Sequence, residues 1–277
     1  MDSAVGSSAI ATEIEETIEV AHPRGVSRLA VRRVPGRGPV TVWLGGLRSD
    51  MTSTKAESLA IRAAASGRAF VRFDYSGHGR SEGRFEDGSI GLWLAESLAV
   101  MARYAGERPV LVGSSMGGWI ACLAARADRV RETARAPGAM VLIAPAIDFT
   151  ERLILPRLPA EALAALDREG VFLRPNAYGP EPMPITHALI EDGRAHCLFG
   201  APFAVGCAVR ILQGGRDEDV PADHAAMLLQ HLPSDPVTLT LVPDGDHRLS
   251  RPADIALLEA AVDEAVAEAM RAARAVG

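Results

Sequence analysis

Two glycines bracket Ser115, each two residues away, in the run Gly113-Ser114-Ser115-Met116-Gly117-Gly118. This run follows the apolar stretch Pro109-Val110-Leu111-Val112 and leads into the Ala-rich stretch Gly118 to Ala125. A strand that reverses into a helix within a few residues holds the residue at the bend in strained backbone angles with its side chain exposed. Side chains at the flanking positions would clash there, so the glycines have a steric cause. The downstream stretch lacks proline and reads as a buried helix. Strand, bend and helix thus present the Ser115 hydroxyl as a nucleophile, although G-x-S-x-G alone is a weak signal and the rest of the chain has to support it.

The order of elements gives that support. Glu16 to Val20 and Ser27 to Val34 read as short strands around the turn Pro23-Arg24-Gly25, an opening hairpin at an antiparallel sheet edge. Strands then alternate with helices: strand Val40–Leu44, helix Lys55–Ser66, strand Ala69–Phe73, helix Ser89–Tyr104, strand Val110–Val112 with its following helix, and strand Ala139–Ile143. Such alternation predicts right-handed crossovers and a mainly parallel sheet with helices on both faces, an α/β fold. The rhythm breaks across residues 151–205, which carry Pro156, Pro159, Pro175, Pro180, Pro182 and Pro184 and two helical pieces, Pro159–Glu169 ended by Gly170 and Thr186–Asp192 before Gly193. A segment this long predicts a helical lid inserted into a core domain made of 1–150 and 206–277. Alternation resumes with strand Ala208–Leu212, helix Ala222–His231, strand Val237–Val242 and a closing helix Pro252–Ala275.

Composition narrows the function. The chain has 277 residues, 48% hydrophobic and 23% charged, which suits a globular enzyme with a large core. Its 29 basic and 35 acidic residues give a net charge of −6, with the basic residues scattered, so nucleic acid is not an expected partner. Lys55 is the lone lysine; every other basic residue is Arg. Cys122, Cys197 and Cys207 show no C-x-x-C spacing, which predicts neither a disulfide framework nor a zinc site and fits a reducing cytoplasm. No signal-peptide pattern opens the chain and no apolar run is long enough to span a membrane. The small, polar segment Met1–Thr12 is expected to be disordered.

A serine hydroxyl at neutral pH needs a base to take its proton and a third group to orient that base. Among seven histidines, His247 in Asp244-Gly245-Asp246-His247-Arg248 follows the last strand and is the expected base. Asp217, in Gly214-Gly215-Arg216-Asp217-Glu218-Asp219-Val220-Pro221, follows the preceding strand and is the expected acid, with Asp148 the alternative. Glu218 and Asp219 are expected to be solvated or to cap a helix. The oxyanion of a tetrahedral intermediate needs two donors. Met116 N–H supplies one, and Leu47 N–H, in Leu44-Gly45-Gly46-Leu47-Arg48, is the best candidate for the other. Asp74 to Ser81 is glycine-punctuated but lacks a following G-K-[ST], so it reads as a structural turn supported by His78 rather than a phosphate cradle. Arg48 is expected in a surface ion pair, with an acidic substrate as the alternative. His187 and His196 are two histidines that a lid would carry near a pocket.

From Thr17 to Ala275 the chain resembles the α/β-hydrolase superfamily. The runs Gly45-Gly46-Leu47-Arg48-Ser49-Asp50-Met51 with Thr54-Lys55-Ala56, Phe73-Asp74-Tyr75-Ser76-Gly77, Val112-Gly113-Ser114-Ser115-Met116-Gly117-Gly118-Trp119 and Asp246-His247-Arg248 are similar to one subgroup. That subgroup contains the mitochondrial abhydrolase acting as palmitoyl-protein thioesterase and acyl-glucuronide esterase, with its bacterial relatives. The resemblance implies an eight-stranded α/β-hydrolase fold and a Ser-His-Asp acyl hydrolase acting on a small-molecule ester or thioester without metal or organic cofactor. It carries over to Ser115, Asp217 and His247, with Met116 and Leu47 as oxyanion donors. Two positions depart from it: Gly45 stands where many members have His, and Ala222 where the subgroup tends to have Trp. C–C or amide hydrolysis by the same triad is the enzymatic alternative, and a non-catalytic receptor on the same scaffold is the other. Leu153, Ile154, Leu155, Leu158, Leu163, Leu166 and Phe172 are candidates to line an acyl pocket, and their apolar spacing equally fits helices packed on a core.

Overall fold

The computed structural model describes residues 12–130, 136–175 and 181–274, so residues 1–11 of the N-terminal segment expected to be disordered lie outside them. The chain opens with β1 (Ile14–His22), β2 (Gly25–Val34) and β3 (Arg37–Leu44), followed by α1 (Thr54–Ala65), β4 (Arg68–Phe73) and α2 (Ile90–Tyr104). Next come β5 (Val110–Ser114), α3 (Met116–Val130) and β6 (Ala139–Ile143). Residues 144–207 hold α4 (Ala160–Glu169), β7 (Val171–Arg174), β8 (Met183–Thr186) and α5 (His187–Ala195). The chain then runs through β9 (Ala208–Gly214), α6 (Ala222–His231), β10 (Val237–Val242) and α7 (Pro252–Arg274).

Eight strands form one sheet in the order β1-β2-β4-β3-β5-β6-β9-β10. The opening hairpin pairs antiparallel from Ile14 opposite Arg33 to His22 opposite Gly25, and β2 meets β4 antiparallel. From β4 to β10 every neighbouring pair is parallel. Strands covered on both faces have no polar side, which is why β5 and β6 are buried at every position. α1 and α7 bury one face around Trp43, Leu59, Phe70, Val112, Leu258 and Val266. α2, α3 and α6 bury the other around Trp93, Trp119, Ile120, Leu142 and Leu228.

After β3 the chain crosses to β4 on one side, and β5 then returns to β3 on its other side. The loops leaving the ends of β3 and β5 therefore diverge and open a crevice, where open α/β sheets bind their ligands. Gly45–Leu47 leaves one of these strands and Ser115 the other.

The alternating elements lie within a few residues of expectation, and α6 spans Ala222–His231 as expected. The segment after β6 differs. Besides α4, ended by the left-handed Gly170 (φ 75°), and α5, it contains an antiparallel hairpin, β7–β8, that the sequence reading does not contain. Pro184 pairs opposite Leu173 there. A two-stranded ribbon consists only of edges, so a residue without an N–H fits where a central strand would reject it.

Cys122, Cys197 and Cys207 are free thiols. Burial pushes Cys207 up to about 12 and Cys197 up to about 11, which keeps both protonated at neutral pH. No helix among the described residues is long and apolar enough to cross a membrane.

Candidate active site

Ser115 sits between the end of β5 and the start of α3 with φ 54°, a left-handed angle unusual for a residue with a side chain. Its N–H donates to Ile143 O on β6 (2.8 Å), and its carbonyl accepts from Gly118 (2.9 Å) and Ala146 (3.1 Å). A Cβ at Gly113 would lie 2.4 Å from Gly117 O, and one at Gly117 only 2.0 Å from Leu44 O. Neither flank has room for a side chain. The bend is fixed from both sides and leaves the Ser115 hydroxyl at the wall of a cavity.

His247 lies in the loop after β10. Its Nδ1 is 2.8 Å from Asp217 Oδ2 and its Nε2 is 3.1 Å from Ser115 Oγ. The carboxylate can only accept, so Nδ1 carries the proton and donates to it, leaving Nε2 to accept from the serine hydroxyl. Asp217 is buried and held in turn: Oδ1 accepts from the N–H groups of Asp219 (3.0 Å) and Val220 (2.8 Å), and Gln213 Nε2 donates to Oδ2 (3.2 Å). The end of β9 presses against the histidine loop, where a Cβ at Gly214 would be 2.5 Å from Asp246 O. Asp217, Asp219 and His247 also offer atoms within 4.8 Å of one another, the spacing of a metal site. Asp217 engages His247 through one oxygen and two backbone amides through the other, which is the geometry of an oriented base.

Met116 opens α3, so its N–H is among the helix-end donors that lack a partner within their own helix. Gly46 lies against the bend, with room for a Cβ only at 3.3 Å from Ser115 Cβ, and Leu47 follows it. Both Met116 and Leu47 line the cavity that holds Ser115 and His247. At Gly45, by contrast, a Cβ would make ordinary contacts with Trp43 and Tyr75, so sterics do not require that glycine.

The cavity measures about 550 Å³. Phe149, Leu153, Ile154 and Met183 contribute apolar walls, and Arg48, Lys55, Arg157, Arg174 and Arg248 contribute cations. Of the seven apolar candidates, Leu153 and Ile154 border this cavity. Leu155, Leu158, Leu166 and Phe172 pack against the core instead, and Leu163 is exposed.

Asp148 does not reach His247: buried, at φ 53°, it accepts from the N–H groups of Leu198 and Phe199 (2.8 Å each), and burial pushes its carboxyl up. Glu218 is exposed, Asp219 borders the cavity, and α6 has no side-chain cap, so neither residue caps it. Arg48 departs from the expected surface ion pair, since its guanidinium donates to Pro182 O (2.8 Å) and lies over the Phe85 ring. His78 supports its loop: it is buried edge-on against Trp93 and Phe85, and burial lowers it to about 4, so it is neutral. His187 faces Glu191, and His196 bonds Asp192 O; neither lines the cavity.

Three residues important to the site's geometry were not singled out as such from the sequence. Asp74 accepts from Met51 N (2.6 Å) and Arg80 N (2.8 Å), filling the glycine-punctuated turn with its own carboxylate. Gln213 is fully buried beneath Asp217, and a lone amide closing an apolar strand is the signal for it. Lys55 lines the cavity, and its being the chain's one lysine is the signal for it.

Residues 34–268 match the alpha/beta hydrolase family. The chain is 33% identical over 239 residues to the mitochondrial palmitoyl-protein thioesterase ABHD10 of Bos taurus, covering 86% of this chain and 76% of that one. Among solved structures, a hydrolase from Agrobacterium vitis S4 superposes with a TM-score of 0.89 at 46% identity, covering 92% of this chain and 99% of that chain. Mouse alpha/beta hydrolase domain-containing protein 10 superposes with a TM-score of 0.80 at 30% identity, covering 91% and 99%. In sequence and in fold, the chain belongs to the alpha/beta hydrolase family.

Proposed function

We propose that this protein hydrolyses carboxylic esters or thioesters through an acyl-enzyme formed on Ser115. The observation that carries this reading is the continuous relay from Asp217 Oδ2 through His247 to Ser115 Oγ, with contacts of 2.8 and 3.1 Å, ending on a serine in left-handed geometry. His247 Nε2 takes the hydroxyl proton as Oγ attacks the acyl carbon. Asp217 stabilises the imidazolium that results. Charge on the carbonyl oxygen is met by the N–H groups of Met116 and Leu47. Collapse expels the alcohol or thiol with the proton from His247, and water then repeats the sequence in reverse to free the acid.

The segment 151–205 serves as the lid of this site, in keeping with the cavity walls contributed by Leu153, Ile154 and Met183. A cavity with apolar walls accepts an acyl chain, and the thioesterase relatives favour an acyl thioester among the substrates. The test pairs p-nitrophenyl acyl esters and acyl thioesters of graded length with fluorophosphonate labelling. Ser115→Ala is expected to lower kcat by about 10⁴- to 10⁶-fold and to abolish labelling while the protein stays folded. Unchanged turnover in that variant would refute the reading.

A further inference from the structure

The one lysine of the chain stands where local forces disfavour a cation. Lys55 lies in the first turn of α1, at the positive end of the helix dipole, and is buried. Burial, and after it the neighbouring Arg248, lower its ammonium to about 8 against the opposing pull of Asp246 and Asp254. A chain that uses Arg at every other basic position keeps Lys here. The difference is one of shape: an ammonium is a compact donor, whereas a planar guanidinium needs a wider site.

Its partner accounts for the placement. Lys55 Nζ donates to the carbonyl of Arg248 (2.5 Å), the residue directly after His247 and 193 positions away in sequence. The same short loop is fixed on the other side of His247, where Asp246 Oδ1 accepts from Leu249 N (2.9 Å). Leu249 is buried at φ 43°, so the backbone turns sharply there. At the other end of the connection, Lys55 comes shortly after the Gly46–Leu47 turn. That intervening stretch is itself pinned, with Met51 N donating to Asp74 (2.6 Å) and Met51 O accepting from Arg72 (2.6 Å). Lys55 is therefore a direct side-chain link from the segment carrying Leu47 to the loop carrying His247.

We propose that Lys55 is a positioning residue of the active site, holding the His247 loop in register with the Gly46–Leu47 turn. This rests on the acyl-transfer reading given above. A base and an oxyanion donor act on one tetrahedral centre from different sides, so their relative placement governs the rate of acylation more than it governs how the ground state binds. Lys55 acts through the Arg248 carbonyl and takes no part in the proton transfer.

Lys55→Met keeps the length and apolar packing of the side chain and removes the donor. The expected result, on a short p-nitrophenyl ester, is a fall in kcat on the order of 10- to 100-fold with KM within about twofold, and a parallel fall in the rate at which fluorophosphonate labels Ser115. Lys55→Ala leaves a space, and propylammonium added to that variant should restore kcat saturably. Wild-type kcat in Lys55→Met overturns the proposal. So does a Lys55→Met protein that fails to fold or loses activity only in step with its folded fraction, because Lys55 would then be a general support of the fold. Failure of the wild-type protein itself to label at Ser115 would instead strike the acyl-transfer reading.

Discussion

The floor of the cavity and the segment proposed as its cover are built on different principles. At the floor, Ser115, Met116 and Gly117 occupy a bend where one added methyl group at Gly117 would lie 2.0 Å from the Leu44 carbonyl. Asp217 and His247 are clasped by the ends of β9 and β10. The cover is tied down at separate points: Asp148 to the amides of Leu198 and Phe199, Arg157 to the carbonyls of Glu218 and Asp219, Arg48 to Pro182, and Asp192 to Gly91 N. A packed bend has one arrangement, whereas a tethered cover tolerates changes between its tethers. The acyl-transfer proposal assigns chemistry to the first region and selectivity to the second.

The two buried aspartates test that division most sharply, since both follow strands of the same sheet and both accept two backbone N–H groups. Asp217→Asn should lower kcat by about 10⁴-fold while the protein stays folded, because an amide cannot hold His247 in the tautomer that leaves Nε2 free to accept. Asp148→Asn should leave turnover of a short ester close to wild type. It should instead remove about 2–3 kcal/mol of stability, because one of the amides of Leu198 and Phe199 then faces an NH₂ group. Steady-state kinetics and urea melts on both variants give the answer. A kinetic loss in Asp148→Asn comparable to that in Asp217→Asn would dissolve the distinction between floor and cover.

The same chemical change in the two regions should likewise have unequal effects. Gly117→Ala drives a methyl group into backbone at 2.0 Å and is expected to cost about 4 kcal/mol or more, enough to leave little folded protein. Gly200→Ala, in the covering segment, meets nothing within 4 Å and should change stability by no more than about 0.5 kcal/mol. Melting temperatures measured side by side decide it, and equal shifts would mean that the bend is looser than its contacts imply.

The same difference explains what could be read from the sequence. Gly113 and Gly117 announce the bend because the steric rule is local, and Asp217 and His247 follow from their places after the last two strands of an alternating chain. The hairpin β7–β8 leaves little local trace, since Pro184 argues against a strand unless that strand is all edge. The apolar spacing of Leu155, Leu158, Leu166 and Phe172 fits core and cavity equally, because an inward-facing residue in this segment meets one or the other and spacing does not distinguish the two. Lys55 was visible as a compositional oddity, while its partner, the Arg248 carbonyl, is a backbone atom and has no sequence signature.

The smallest expected effect concerns which acyl groups the cover admits. Leu153, in the turn after β6, and Met183, on the hairpin, contribute apolar walls to the cavity from separate parts of the segment. Contacts of this kind are worth about 1–3 kcal/mol each toward a bound methylene chain and act on the chain rather than on the reacting carbonyl. Leu153→Ala and Met183→Ala should each lower kcat/KM for a long-chain acyl ester by about tenfold relative to an acetyl ester, whose turnover depends on the floor alone. Leu173→Ala supplies the control, because Leu173 lies on the same hairpin but is 57% exposed and does not border the cavity. Its ratio of long- to short-chain kcat/KM should match wild type. If all three substitutions shift that ratio alike, the segment governs selectivity through its overall position, and the tethers at Asp148 and Arg48, rather than the side chains at the wall, set the length of acyl chain accepted.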